Sequence, residues 1–216
     1  MSTKDAAYHA RFVIAASGVY DIFPPIENVR QFLGSGFYTC VDCDGYKTTN
    51  KKLVVIGNSR QGCNLALAMK RMFTQDITFI PYQFNPPQFL LETLQDEGIR
   101  VITEQPIRII GTDSIKALEC AGGNRIPCET IMSQFGYTLN DEYLKKLDLQ
   151  KDDAQLHYVT NGVYESSLDG LYIVGPLNTG PDQVAVAAGE GAIAAMDINK
   201  RFLRDVLRNN DSHHKH

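Results

Sequence analysis

Leu53-Val54-Val55-Ile56-Gly57-Asn58-Ser59-Arg60-Gln61-Gly62 is the stretch on which the reading of the fold turns. An unbroken apolar run predicts a strand buried on both faces. A turn with glycine at Gly57 and Gly62 follows, and Leu65, Ala68, Met69 and Met72 then recur at helical spacing. Strand, glycine-ended turn and amphipathic helix together open a βαβ unit of the dinucleotide-binding type. Working outward, Ile77-Thr78-Phe79-Ile80 reads as a second strand and Phe89 to Glu97 as a short helix closed by Gly98. Further strands are expected near Arg100–Thr103, Arg108–Ile110, Ile115–Glu119 and Thr130–Phe135, with hairpin turns at Gly111–Ser114 and Ala121–Asn124. The fold class is α/β, a Rossmann-like half carrying an inserted β-meander.

Upstream of this unit lies Tyr38-Thr39-Cys40-Val41-Asp42-Cys43-Asp44-Gly45. Two cysteines three positions apart can close a small disulfide ring that thiolate exchange opens and reforms. A dithiol next to a dinucleotide-type βαβ unit points to redox chemistry. Tyr8 to Ala15 reads as strand, residues 1–18 as a strand pair ending in the turn Ala16-Ser17-Gly18, and residues 19–36 as a connector rich in Pro and Gly. Lys47 to Lys52 reads as a polar linker. After a charged, loop-rich segment at 136–160, Leu171-Tyr172-Ile173-Val174-Gly175 is again a buried strand ending in glycine. A helix is expected from about Gln183 to Leu207, its first half almost all Ala and Gly, and Asn209 to His216 is expected to be a disordered tail with solvated His213, His214 and His216.

Composition narrows the function classes. The chain has 216 residues, a net charge of -4 and five cysteines. That charge gives no electrostatic case for nucleic acid or an anionic membrane. The apolar run Phe12–Val19 is too short to span a bilayer. An odd, modest cysteine count fits a reducing, cytoplasmic setting better than a disulfide-stapled secreted scaffold.

Taken together and in order, Val13-Ile14-Ala15-Ala16-Ser17-Gly18, Cys40-Val41-Asp42-Cys43-Asp44-Gly45, the turn at Gly57, Gly170-Leu171-Tyr172-Ile173-Val174-Gly175 and Gln183 to Ala195 resemble the low-molecular-weight thioredoxin reductase family. The resemblance implies a Rossmann-like three-layer ββα domain at 46–155, degenerate as a nicotinamide domain, inserted into a partial FAD-binding domain formed by 1–45 and 156–216. It implies FAD at Ala16, Ser17, Gly18, Gly175, Gln183 and Val184, with the dipole of the small-residue helix aimed at the flavin ring and favouring its anionic reduced form. It implies that Cys40 exchanges with a protein disulfide such as that of thioredoxin, that Cys43 lies nearer the flavin, and that Asp44 is the acid serving the leaving thiol, protonated in a partly buried place. A homodimer is the family's usual state. Asp42 is unmatched and reads as a solvated side chain.

Three departures qualify the resemblance. The βαβ half of the FAD domain that carries the family's own diphosphate loop has no counterpart, so the chain reads as a piece of a longer flavoprotein. In the nucleotide turn, Ser59 stands where the family has its second glycine, between Gly57 and Gly62, and a Cβ there obstructs the pyrophosphate. After the second strand, Tyr82-Gln83-Phe84-Asn85 offers no cation for a 2′-phosphate and no carboxylate for a 2′-hydroxyl. NADPH is therefore not the expected donor, and the chain resembles the branch fed by ferredoxin or another source. Last, Gly175-Pro176 replaces Gly-Asp, whose carboxylate bonds the ribityl chain in the family.

Other readings stand beside these. An ordinary NADPH-dependent thioredoxin reductase fragment is one, with Arg60 supplying the cation from within the turn. A flavin-free scaffold or binding protein with a vestigial dithiol is another. Cys40 and Cys43 could form half a zinc site with Cys120 and Cys128, but the spacing of the second pair is wrong for a zinc knuckle, and no metal is expected. Cys63 reads as a small core residue and Asn161-Gly162 as a turn.

Overall fold

The computed structural model describes residues 6–213. The chain folds into two compact units, one formed by residues 21–137 and the other by the flanking segments up to 20 and from 138 onward.

The 21–137 unit is built on a five-stranded parallel sheet. Its strands are β3 (Phe37–Tyr38), β4 (Leu53–Gly57), β5 (Ile77–Pro81), β6 (Arg100–Val101) and β10 (Thr130–Gln134), in the order β3-β10-β4-β5-β6. In β4 successive side chains leave on opposite faces, as the pleat requires. Leu53 and Val55 pack with Met132, Phe79 and the helices α3 (Arg60–Met72) and α4 (Gln88–Asp96). Val54 and Ile56 pack with Ile109, Ile115, Leu118 and Ile126 of an antiparallel meander, β7 (Pro106–Gly111), β8 (Ile115–Cys120) and β9 (Arg125–Pro127). Meander, sheet and helices make the three ββα layers. A short helix α1 (Val29–Phe32) joins the meander side through Val29 and Phe32.

The helix stripe differs from the expected one. The buried face of α3 is Gly62, Cys63, Leu65, Ala66 and Met69, while Met72 is 63% exposed. Met69, three residues before it, is fully buried, so the buried face of the helix ends there. Cys63 is fully buried, and burial pushes its thiol up.

The other unit holds a two-stranded parallel sheet of β1 (Val13–Ala15) and β12 (Leu171–Ile173), paired Val13 to Leu171. One face packs on Leu144, Tyr158 and Leu177; on the other, Tyr172 and Val174 pack on Ala194 of α5 (Val184–His213). Of the strand expected at Tyr8–Ala15 only its last three residues are strand, and β1 pairs with β12 rather than with β2 (Val19–Asp21), which pairs with β11 (Tyr137–Leu139). Helix α5 runs past Leu207 to His213, so the tail expected from Asn209 begins in helix; His214 and His216 lie outside the described residues.

The units divide at 20/21 and 137/138, where the expected domain boundaries were 45/46 and 155/156. The reason at the first boundary is β3: Phe37 and Tyr38 pair with Ile131 and Met132 and so extend the central sheet. The dithiol stretch consequently belongs to the sheet-bearing unit.

Candidate redox and cofactor sites

Strand β3 delivers the chain to Cys40, which is extended (φ -117°, ψ 117°) and caps the single helical turn α2 (Val41–Asp44). The Cys43 N–H donates to Cys40 Sγ at 3.1 Å, and the Asp44 N–H donates to the Cys40 carbonyl at 3.1 Å. A helical turn brings residues i and i+3 together. The two Cα atoms lie 5.3 Å apart, within disulfide range, and the sulfurs are bonded. Cys43 is the exposed partner and Cys40 is half-buried. Gly45 anchors the turn, since a Cβ there would stand 2.6 Å from Cε2 of Phe73.

Asp44 is only one-quarter exposed, and the Lys47 ammonium donates to its Oδ1 at 2.8 Å. The reading of Asp44 from sequence did not include this ion-pair partner. Lys47 also lies over the rings of Tyr38 at 5.4 Å and Tyr46 at 5.9 Å. Its ammonium is held above the usual lysine value first by the hydrogen bond to Asp44. Burial pushes the Tyr38 hydroxyl up, with Lys47 opposing. Sequence reading passed over Lys47, although the Asp44-x-x-Lys47 spacing is a helical ion-pair signal.

At the nucleotide turn, a Cβ on Gly57 would stand 2.6 Å from Gly62 Cα. Ser59 precedes α3 in extended conformation and makes no side-chain cap bond. The Arg60 guanidinium lies over the Phe89 ring at 5.4 Å, which ties it to α4.

The remaining site residues belong to the other unit. Gly18 turns with φ +67°, and nothing lies within 4 Å of a Cβ placed there. Ser17 Oγ donates to the Asn140 carbonyl at 2.6 Å and meets the Tyr143 hydroxyl at 2.7 Å. Gly175 turns with φ +70° at the end of β12, and its N–H donates to Glu190 Oε2 at 2.6 Å. Glu190 is 3% exposed and also accepts from Asn178 Nδ2 at 2.7 Å. A carboxylate thus does stand at this strand end, reached from α5 across space. Val184 is 88% exposed at the start of α5. The structure therefore gathers Ala16, Ser17, Gly18, Gly175, Gln183 and Val184 in one unit, and Cys40, Cys43, Asp44, Gly57, Ser59 and Gly62 in the other.

Cys120 and Cys128 are separately buried and free, and burial pushes the Cys128 thiol up to about 12. Among the described residues no group of three His, Cys, Asp or Glu side chains could hold a metal. Asn161 Oδ1 accepts from the N–H groups of Val163 and Glu165 at 3.0 Å, which makes this segment an Asx-type turn.

A three-layer Rossmann-like α/β unit with a redox-type disulfide on the turn before it defines the class. The pyridine nucleotide-disulphide oxidoreductase family model matches residues 2–191, and the chain belongs to that family. It is 26% identical over 205 residues to a thioredoxin reductase of Treponema pallidum, covering 90% of this chain and 66% of that protein. It is 23% identical over 210 residues to the 34.2 kDa protein in the rubredoxin operon of Clostridium pasteurianum, covering 93% and 67%. Among solved structures, thioredoxin reductase from Streptococcus pyogenes superposes with a TM-score of 0.82 at 20% identity over 94% of this chain and 69% of that one. HlmI does so with a TM-score of 0.85 at 21% identity over 94% and 63%. The chain spans 66% of the length of the first curated relatives it matches.

Proposed function

We propose that the protein works as a thioredoxin reductase-like disulfide oxidoreductase, passing electrons from FAD to the Cys40–Cys43 dithiol and on to a protein disulfide such as that of thioredoxin. The observation that carries this reading is the Cys40–Cys43 disulfide, set on an exposed turn in a member of this family.

The chain's own residues account for the exchange step. Reduced Cys40 and Cys43 hold the two electrons a partner disulfide takes up. The Cys40 thiolate attacks one partner sulfur, forming a Cys40–partner bond and breaking the partner's S–S bond; the released thiolate takes a proton. The Cys43 thiolate then attacks Cys40 Sγ, closing the internal ring and releasing the second partner thiolate, which takes the second proton. The Cys43 N–H aimed at Cys40 Sγ supports negative charge on that sulfur, suiting Cys40 as the attacking group. Asp44 follows Cys43 directly and is the side chain suited to carry protons to and from this pair.

FAD, when bound, supplies the electron pair that reopens the ring. The residues fit it at two places. The Gly18 turn leaves open the space a Cβ would fill, and Val184 at the start of α5 is exposed. Ser17 and the Gly175 N–H are spent on internal bonds, so they shape the strand ends instead. The electron donor is assigned to a ferredoxin-type or other non-nicotinamide source, because of Ser59 and the uncharged stretch Tyr82–Asn85. A homodimer and a cytoplasmic setting complete the reading.

A second reading, an NADPH-dependent reductase, is favoured by the close Gly57–Gly62 approach and by Arg60 at the first position of α3. It shares the dithiol chemistry and differs only in the donor.

The test uses the purified chain. Reduced wild type mixed with oxidised thioredoxin should become oxidised at Cys40 and Cys43 while thioredoxin gains two thiols. Cys43→Ser should trap a mixed disulfide through Cys40, and Cys40→Ser should not transfer. Absence of both transfer and the trapped species would remove the reading.

A further inference from the structure

We infer that Lys47 is a positioning residue of the dithiol site: clamped over the rings of Tyr38 and Tyr46, its ammonium fixes the Asp44 carboxylate beside the cysteines and offsets that charge toward them. This inference rests on the redox reading of Cys40 and Cys43 given above.

Three contacts define the place of Lys47. The ammonium is 2.8 Å from Asp44 Oδ1, 5.4 Å from the centre of the Tyr38 ring and 5.9 Å from that of Tyr46. Tyr38 is 5% exposed and comes from β3, the strand that leads into Cys40. The ammonium is thereby tied both to the sheet and to the turn that carries the sulfurs. Its side chain is 36% exposed, and that of Asp44 is 25% exposed. This is a partly screened pair, and its role lies in geometry and local charge rather than in stability.

The chemistry follows from Coulomb's law. A carboxylate following directly on Cys43 disfavours the thiolate form of either sulfur through like charge, and a cation on the carboxylate cancels much of that field. The charged or titratable groups facing Lys47 are Asp44, Tyr46 from its own turn and Tyr38 from β3. On the turn itself Asp42 is exposed, and Asp21 accepts from Thr39 Oγ1 at 3.2 Å. These two carboxylates are further negative groups around the turn. Removing Lys47 therefore leaves Asp44 as an uncompensated negative neighbour. The thiols should then ionise at higher pH and exchange more slowly near neutrality.

The experiment is the pH profile of iodoacetamide alkylation at Cys40 and Cys43 in the reduced chain. It is run for wild type, Lys47→Gln, Lys47→Arg, Asp44→Asn and the Asp44→Asn/Lys47→Gln pair. Lys47→Gln should move the profile to higher pH and slow alkylation at neutral pH by about two- to five-fold, the size of a partly exposed pair. Lys47→Arg should restore most of the rate. Asp44→Asn should move the profile the other way. In the Asp44→Asn background, Lys47→Gln should have an effect of less than about 1.5-fold, since its target is gone. An unshifted Lys47→Gln profile overturns the inference. An equal shift with and without Asp44 also overturns it, since Lys47 would then act on the thiols directly. Unreactive Cys63, Cys120 and Cys128 in each variant verify the fold. If wild-type Cys40 and Cys43 do not open with dithiothreitol, the redox reading falls and this inference with it. If they open but the variants do not separate as stated, only this inference falls.

Discussion

A Cβ placed on Gly57 would stand 2.6 Å from the Cα of Gly62, and one placed on Gly62 would stand 2.7 Å from the Cα of Gly57. The end of β4 and the first turn of α3 touch backbone to backbone, and both residues are glycine because neither has room for more. Backbone cannot yield as a flexible side chain can, so alanine at either position forces strand and helix apart. Gly57→Ala should cost about 1–3 kcal/mol. Gly62→Ala should cost less, because it gains up to about 1 kcal/mol of helix propensity inside α3. Denaturant titration checks the order: a Gly62→Ala variant less stable than Gly57→Ala would contradict it.

Thiol accessibility gives a second prediction. The oxidised native chain should show no fast-reacting thiol, since Cys40 and Cys43 are bonded and the other three are buried. Mild reduction should reveal two, and reduction with denaturation all five. Below about pH 9 the buried three should stay silent on the time scale of the exposed pair, Cys128 most of all because burial holds its thiol at about 12. A thiol count in native protein that reduction leaves unchanged would contradict the disulfide.

The same geometry shows what could be read from sequence. Leu53 to Ile56 predicted a strand buried on both faces, and alternate residues do enter two separate cores. Gly98 closes α4 with φ +69°, and the Gly111 and Ala121–Asn124 hairpins fall where the turn residues placed them. These features depend on local chemistry. The role of β3 was not legible, because its pairing with β10 joins residues nearly a hundred positions apart. Met72 shares the helical spacing of the buried face yet is 63% exposed, a difference that periodicity does not encode. At the site, the Cys40–Cys43 ring was visible from spacing. The Lys47 clamp was not, because Tyr38 reaches it from the neighbouring strand. The Glu190–Gly175 bond spans fifteen residues and was equally hidden.

Glu119 supplies a pH prediction. It is 8% exposed in β8 and accepts from both Arg108 and Arg125. The Arg108 hydrogen bond, foremost, holds its carboxyl below the usual value. A carboxyl depressed on folding contributes stability that is complete above its unfolded value. That contribution is lost as pH falls through the depressed value of the folded state. The melting temperature should therefore fall on the acid side of the ordinary glutamate range. Glu119→Gln should flatten that limb while lowering stability at neutral pH. An acid limb identical in wild type and variant would show that the pair does not matter.

The last prediction is that NADPH and NADH bind weakly, and that two substitutions restore NADPH binding. Ser59 is extended just before α3, and a side chain at this turn position is expected to crowd the pyrophosphate. Beyond β5, Tyr82, Gln83, Phe84 and Asn85 carry no charge for the adenosine ribose. Arg60 is the nearest cation in the turn, but its guanidinium rests on the Phe89 ring, at the start of α4. The first turn of α3 still presents N–H groups and a positive dipole end, so residual anion affinity is expected. A missing charge-assisted bond to the 2′-phosphate is worth about 1.5–3 kcal/mol, one to two decades in affinity. Ser59→Gly should tighten NADPH and NADH alike, because it acts at the shared pyrophosphate. Gln83→Arg should tighten NADPH alone, because only NADPH carries the 2′-phosphate. Gln83 already holds φ +49°, so arginine inherits its backbone strain without adding any. Titration calorimetry of wild type, the two single variants and the double variant against both nucleotides separates these effects. Micromolar NADPH binding by wild type would overturn the prediction and favour the NADPH-dependent reading. An equal gain for NADH from Gln83→Arg would mean that the arginine does not reach the 2′ position.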